Sequence, residues 1–354
     1  MGELGPLIPD DSARLSRLRR RVRGISLELL LLLAITLLSP LLLFLAAAVD
    51  GSLWVVRRKP WMATRLLAMG WWFLVGEIYG LIGLLAVAVS SPRDGARRRE
   101  RVYEVKRKWL TSHLAGIRTI FGLRFEIEGL ELAGPGPVLV MIRHASIIDN
   151  ALPDAIVGRA HGLGFRFIIK RELQMLPTID IGGRWVPTVF VRRASGKTDE
   201  QLEQIRELTV NLGARDGLLI YPEGTRSTPA KLARAKAVIA ERQPEIAPLA
   251  ARLQNLLPPR LGGTVELLDS ARNADVVIFG HVGLDGFEHI SDIWSGGLVK
   301  TTVHLKFWRF AAAEVPIDRD ELIAWLYARW QELDDWVGEM RGGAPVRLET
   351  AGVA

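Results

Sequence analysis

An α/β sheet flanked by helices, preceded by an N-terminal membrane helical hairpin, is the architecture that this 354-residue sequence predicts. Three observations carry it. Two long apolar stretches occupy the first 92 residues, short β-type runs alternate with helical segments beyond residue 110, and turn signals separate those runs. With 49% apolar residues the chain has ample material for a core and is not disordered throughout. The absence of cysteine excludes a disulfide scaffold, thiolate catalysis and any Cys-ligated metal.

The N-terminal part divides into a basic segment, residues 1–23, and residues 24–92, which read as two membrane helices or a re-entrant hairpin. Leu29 to Val49 carry no charge over 21 residues, about 30 Å of helix and enough to cross a hydrocarbon core. The second stretch, Leu66 to Val89, is broken only by Glu77. A removable signal peptide fits poorly, because the leading segment is long and Arg-rich and the apolar run exceeds the usual ~7–15 residues. Fourteen cations flank the two stretches, from Arg14 to Arg23 and from Arg93 to Lys108, against four in the connecting loop, Arg57, Arg58, Lys59 and Arg65. That bias puts the N-terminus and everything after residue 93 in the cytoplasm, with the protein in the cytoplasmic or inner membrane. Pro40 and the four loop cations also suit a shallow hairpin that enters and leaves one leaflet. Trp54, Trp61, Trp71 and Trp72 are expected at the interface, and Gly76 and Gly80 are expected to let the two helices pack closely. Glu77 is either functional, or paired with Thr36 or a backbone group, or snorkelling in a hairpin. The basic clusters read as attraction to anionic lipid heads rather than to nucleic acid.

Residues 93–342 form the soluble domain, and 343–354 read as a flexible tail. The expected strands are Leu123–Glu128, Pro137–Arg143, Gly164–Lys170, Trp185–Arg192, Gly217–Tyr221, Ala274–Gly280 and Thr301–Phe310. Helical segments are expected at Asp199–Leu212, Pro229–Glu241 and Gly263–Ala271. A last helix opens with Asp318 and Glu321 in capping-box-like spacing, then puts Leu322, Trp325, Leu326, Trp330, Leu333, Trp336 and Val337 on one face, as a core stripe would.

Several chemistries are excluded. No G-x-S-x-G nucleophile elbow occurs, Ser195-Gly196-Lys197-Thr198 lacks the first glycine of a phosphate loop because Val191 stands there, and no G-x-G-x-x-G follows a strand. The six histidines are not at helical ligand spacing, so no metal is indicated. What remains positive begins with His144, which ends a β-type run, and Asp149 five positions later. An imidazole that takes a proton from an alcohol must be neutral and in the correct tautomer; a carboxylate on its other nitrogen secures both. Alone, the pair also fits a surface His beside an N-capping Asp. Further on, Pro222-Glu223-Gly224-Thr225-Arg226 follows a buried strand and its Arg226 suits a phosphate, while Phe190-Val191-Arg192-Arg193 ends another strand in cations and alone reads as a solvated strand end.

Taken together, His144-x-x-x-x-Asp149, Phe190–Arg193 and Pro222–Arg226 resemble, in order and spacing, the phospholipid/glycerol acyltransferases, whose best-known members acylate 1-acylglycerol-3-phosphate. Leu257-Pro258-Pro259-Arg260-x-Gly262-Gly263 resembles the fourth block of the lysocardiolipin acyltransferase-like branch, and Trp325-Leu326, Trp330 and Asp334-Asp335 its closing helix. The likeness spans about residues 100–340. Arg143 departs from it, since many members have Asn before the histidine.

This resemblance implies a glycerol-3-phosphate acyltransferase-like sheet, an acyltransferase domain over 93–342 and a phospholipid-biosynthetic enzyme. In it, His144 is the general base oriented by Asp149, while Arg193 and Arg226 hold the acceptor's phosphate, Arg192 is a secondary candidate for that role, and Glu223, Gly224 and Thr225 shape the loop. It implies acyl-CoA or acyl-ACP as co-substrate without a further cofactor, a lysophospholipid acceptor and membrane lipids as partners. A lysophospholipid- or glycolipid-remodelling enzyme, a non-catalytic lipid-binding protein and a membrane-scaffold or transport component are the alternatives.

Overall fold

The computed structural model describes residues 13–91, 95–191, 198–285, 287 and 290–342. Four long helices come first, α1 (Arg14–Leu37), α2 (Ser39–Arg57), α3 (Met62–Ser90) and α4 (Gly95–Phe121), leading to β1 (Arg124–Glu128) and β2 (Val138–Ile142). A short α5 (Arg159–His161) precedes β3 (Gly164–Lys170), α6 (Pro177–Gly182) precedes β4 (Thr188–Val191), and α7 (Thr198–Glu207) precedes β5 (Asp216–Ile220). Three helices, α8 (Pro229–Arg242), α9 (Ala247–Arg252) and α10 (Leu261–Ser270), fill the connection to β6 (Asp275–Val282). The chain then runs through α11 (Ile290–Ile293) and β7 (Thr302–Phe310) to α12 (Arg319–Gly342).

The seven strands form one sheet in the order β1-β7-β6-β2-β5-β3-β4, parallel except for the β6–β7 pair. Central β2 is buried along its whole length, which explains its unbroken apolar run. Its residues alternate between two cores. Leu139 and Met141 face α10 and α12, with Leu322, Leu326, Trp330, Leu333 and Val337 beneath them. Val138, Val140 and Ile142 face the other layer, which takes Leu114 and Phe121 from α4 and Met62 from α3. The α12 stripe is thus core, with Trp325 and Trp336 partly buried against it. The Asp318 carboxylate accepts from the Glu321 amide at 3.1 Å and so provides one half of the expected box.

The membrane-type segment departs from the sequence reading in several places. The run from Leu29 to Val49 is not one helix, because α1 ends at Leu37 and α2 restarts at Ser39. Pro40 lacks the N–H that would continue the ladder. Among the described residues, the two helices long and apolar enough to cross a membrane are therefore Ser39–Arg57 and Met62–Ser90. Buried Asp50 of α2 ties them together at their turn, accepting from the amides of Met62, Ala63 and Thr64 at 2.8–2.9 Å and capping α3. Gly76 and Gly80 do not serve the α2–α3 contact. A Cβ at Gly76 would stand 2.5 Å from the His113 ring of α4, and one at Gly80 2.7 Å from Thr178 of α6.

Glu77 is fully buried between these glycines. It accepts from Trp109 Nε1 at 3.2 Å and from the Thr178 hydroxyl, and it stands 3.3 Å from His113 Nε2. Thr36, the partner expected for it, instead accepts from Trp71 at 3.0 Å. Trp72 turns inward to donate to the Ser112 carbonyl at 2.9 Å, while Trp54, Trp61 and Trp71 stay exposed. Part of the basic character is likewise spent inside the fold. Arg20 and Arg21 clasp the buried Asp180 carboxylate at 2.7 and 2.6 Å, and Lys106 lies 3.5 Å from buried Asp154. The tail, 343–354, lies outside the described residues.

Candidate active site

The sheet register builds the site. β2 lies between β5 and β6, with Met141 opposite Ile220 and Ile142 opposite Phe279. Two residues beyond Ile142 comes His144, two beyond Phe279 comes His281, and three beyond Ile220 comes Glu223. All three strands are parallel here, so these residues meet at one end of the sheet, outside the carboxyl termini of its central strands, where crevices of open α/β sheets form.

His144 and Asp149 do meet. His144 Nδ1 lies 3.1 Å from Asp149 Oδ2, and the same oxygen accepts from the amides of Ala145 and Ser146 at 2.7 Å. The short segment between them folds back on itself, so Asp149 caps the turn that carries the histidine. With Nδ1–H donating to the carboxylate, the lone pair on Nε2 is free to take a proton. Burial opposes ionisation of Asp149, but His281 and His144 outweigh it and hold its carboxyl well below the usual carboxylate range. His281 Nε2 donates to the Arg143 carbonyl at 3.0 Å and lies 3.4 Å from Asp149 Oδ1.

Glu223 is buried and spends both oxygens on backbone: Oε1 accepts from the His144 amide at 2.7 Å and Oε2 from the Leu257 amide at 3.1 Å. Burial pushes its carboxyl up to about 7, although those two N–H groups pull it back. Gly224 adopts φ +65°, a left-handed turn that suits glycine. Thr225 and Arg226 follow, half-buried, and one guanidinium nitrogen of Arg226 (Nη1) is buried with no hydrogen-bond partner among the described residues. The Ser227 amide donates to the His144 carbonyl at 2.8 Å, closing the loop against the histidine turn. Arg192 and Arg193 lie outside the described residues; the strand before them, β4, ends at Val191.

Two neighbours escaped the sequence reading. The Tyr221 ring lies 4.5 Å from the His144 ring between centroids, and its hydroxyl donates to the Asp149 carbonyl at 3.3 Å. Burial, with Asp149 nearby, keeps the Tyr221 phenol protonated well above its ordinary range. The other is His281, which only the strand order brings to the site. Arg143, the departure from the resembled pattern, is fully buried. It donates to the His281 carbonyl at 2.5 Å and pairs with Asp285. Burial works against the Asp285 charge, yet Arg143 and Arg341 hold its carboxyl down at about 2.

Residues 124–252 match the protein-family model described as Acyltransferase. This chain carries an Acyltransferase domain. The matched span contains His144, Asp149, Arg192, Arg193 and the Glu223–Arg226 loop, whereas Arg260 and His281 lie beyond it. Among curated relatives, 1-acyl-sn-glycerol-3-phosphate acyltransferase epsilon of Mus musculus is 27% identical over 209 residues, covering 56% of this chain and 56% of the relative. Lysocardiolipin acyltransferase 1 of Mus musculus is 21% identical over 239 residues, 64% of this chain and 60% of the relative. The chain thus spans little more than half the length of these relatives. A solved structure, the 1-acyl-sn-glycerophosphate (LPA) acyltransferase PlsC from Thermotoga maritima, superposes with a TM-score of 0.53 at 18% identity. The superposition covers 80% of this chain and 98% of that one, so the two share a fold over the superposed residues.

Proposed function

We propose that this protein is a membrane-bound O-acyltransferase that moves a fatty acyl group from an acyl thioester to the hydroxyl of a lysophospholipid, with 1-acyl-sn-glycerol-3-phosphate as the acceptor. The observation that carries the reading is His144 Nδ1 at 3.1 Å from Asp149, at the end of the sheet where the Glu223–Arg226 loop closes over it. His144 Nε2 removes the acceptor's hydroxyl proton as the oxygen attacks the thioester carbonyl. The tetrahedral intermediate collapses, the C–S bond breaks, and the departing sulfur takes that proton back from the imidazolium. An ester and a free thiol result. General-base assistance of this kind is worth about 10²–10⁴-fold.

Asp149 holds the imidazole in the productive tautomer and offsets its positive charge. Tyr221 limits the tilt of the ring, and Glu223 fixes the backbone that carries it. Arg226, with Arg192 and Arg193, binds the acceptor's phosphate; the unspent donor on Arg226 supports that role. The domain spans 93–342 and faces the cytoplasm, anchored through residues 24–92. The acceptor enters from the bilayer, and the donor, acyl-CoA or acyl carrier protein, from water.

The relative named lysocardiolipin acyltransferase 1 favours a second reading, acylation of other lysophospholipids in remodelling. Membranes containing the protein, incubated with labelled acyl-CoA or acyl-ACP and a panel of lysolipids, test both. Transfer to lysophosphatidic acid that disappears in His144→Ala is the expected result. Transfer that survives in His144→Ala overturns the mechanism, and lipid binding without any transfer overturns the enzyme reading.

A further inference from the structure

We propose that Arg260 is an anion-binding residue of this site, acting beside Arg226 on a phosphate group of the substrates; the proposal rests on the acyltransferase reading above. Arg260 lies 34 positions after Arg226 in sequence, yet the two come from segments laced together. The Arg260 amide donates to the Pro222 carbonyl at 2.8 Å, and the Leu257 amide donates to Glu223 at 3.1 Å. Between these anchors Pro258 and Pro259 are buried, and Trp330 Nε1 of α12 donates to the Leu257 carbonyl at 3.0 Å. Just upstream, the Asp334 carboxylate accepts from the amides of Gln254, Asn255 and Leu256 at 2.7–2.8 Å. Residues 254–260 are therefore a strap held from both sides.

On that strap the Arg260 side chain lies over Gly224. A Cβ at Gly224 would stand 2.6 Å from its Cδ, 2.7 Å from Nε and 3.1 Å from Cζ. Arg260 itself is exposed, and its guanidinium has no carboxylate or carbonyl partner among the described residues. Arginine contacts that serve the fold look different in this molecule: Arg166 spends its donors on three carbonyls and Asp216, and Arg143 on His281 and Asp285. The Arg260 backbone is held in place while, among the described residues, its planar fork is unpaired, beside a loop whose own arginine also keeps an unpaired donor there. A guanidinium with unspent N–H groups, carried on an anchored backbone, suits a phosphate monoester, which accepts bidentately. Arg260 is also the N-cap of α10, and the helix's N-terminal field adds to the positive potential there.

The phosphate belongs either to the acceptor's head or to the acyl carrier, and kinetics separates the two. The full-length protein in detergent is assayed as wild type, Arg260→Ala, Arg260→Gln and Arg260→Lys, with 1-acylglycerol-3-phosphate and with a monoacylglycerol of the same chain. Thermal shifts are read with glycerol 3-phosphate and with free coenzyme A. The expected result for Arg260→Ala is an acceptor KM raised about tenfold or more with kcat within about twofold, partial recovery in Arg260→Lys, no change with monoacylglycerol, and a lost glycerol 3-phosphate shift. A rise confined to the donor KM, with the coenzyme A shift lost instead, keeps the anion role and assigns it to the carrier. Unchanged KM values and shifts, or equal losses with and without the phosphate, overturn the proposal. Should Arg260→Ala unfold, Arg260→Gln keeps a polar side chain at that position and removes the charge and the guanidinium fork. If the wild type transfers nothing, the function proposed above fails, while the two ligand shifts still decide the role of Arg260.

Discussion

The main-chain N–H of His144 donates to the side chain of Glu223 at 2.7 Å, so the histidine beyond the end of β2 is positioned by a carboxylate that follows β5. The other oxygen of that carboxylate holds Leu257 at 3.1 Å and with it the strap that carries Arg260. One buried side chain thereby links the histidine turn, the Gly224 loop and the strap. Its replacement is expected to reach kinetics without touching either substrate.

The charge state of Glu223 supplies a test with a definite sign. Its carboxyl is raised by burial from 4.5 to about 7 in the folded protein. Below 4.5 both folded and unfolded states are protonated and the group is neutral in its effect. As pH rises from 4.5 towards 7 the unfolded chain ionises first, so stability falls across that window and levels off above it. In Glu223→Gln this slope is absent. Urea unfolding of the two proteins between pH 4.5 and 7.5 should show the variant gaining on the wild type by about 3 kcal/mol with rising pH; parallel curves would contradict the assignment.

Asp149 carries the opposite sign. Its depressed carboxyl contributes stability at pH values above the usual 3.8, and that contribution is lost as pH falls below it. For activity, Asp149→Asn is the informative change. The Ala145 and Ser146 amides hold the Asn oxygen where Oδ2 stands, so an acceptor for His144 Nδ1–H remains but the negative charge that offsets the imidazolium is lost. We expect kcat to fall about 10²–10⁴-fold with KM little changed, measured as initial rates of acyl transfer at pH 7.5.

Gly224→Ala combines a left-handed backbone with a Cβ aimed at Arg260 Cδ, 2.6 Å away. The backbone part costs about 1–2 kcal/mol. Because the Arg260 side chain has freedom to swing aside, the larger effect is expected on the acceptor KM, with a Tm loss of only a few degrees by differential scanning fluorimetry.

Glu77→Ala removes the acceptor for Trp109 Nε1 and for the Thr178 hydroxyl inside a buried contact. Each orphaned donor costs about 1–3 kcal/mol. Thermal inactivation in detergent should therefore come several degrees earlier, whereas Thr36→Val, which frees only the exposed Trp71 pair, should leave it unchanged.

Much of the fold was readable from the sequence because buried parallel strands show themselves as short apolar runs ending at turns. Val138–Ile142 and Gly164–Lys170 are of this kind. The start of β4 was less readable, since Trp185–Pro187 continue the apolar run but Thr188 is where pairing into the strand begins. His144, Asp149 and Glu223 stand out locally by spacing, yet Tyr221 and His281 become neighbours only through sheet order, which one sequence does not reveal. The N-terminal misreadings share a physical cause. Composition reports that Glu77, Gly76 and Gly80 sit in an apolar helix, but not that α4 and α6 of the following domain fill its grooves.

That last contact has a consequence for how the molecule is assembled. Met62 of α3 completes the same core as Phe121 and Val140, and His113 and Trp109 complete the surface of α3. Cutting the chain between α3 and α4 would strand an apolar wall and a histidine–tryptophan pair in water. The N-terminal helices and the domain are expected to denature as one cooperative unit, so α3 serves as a wall of the domain's own interior.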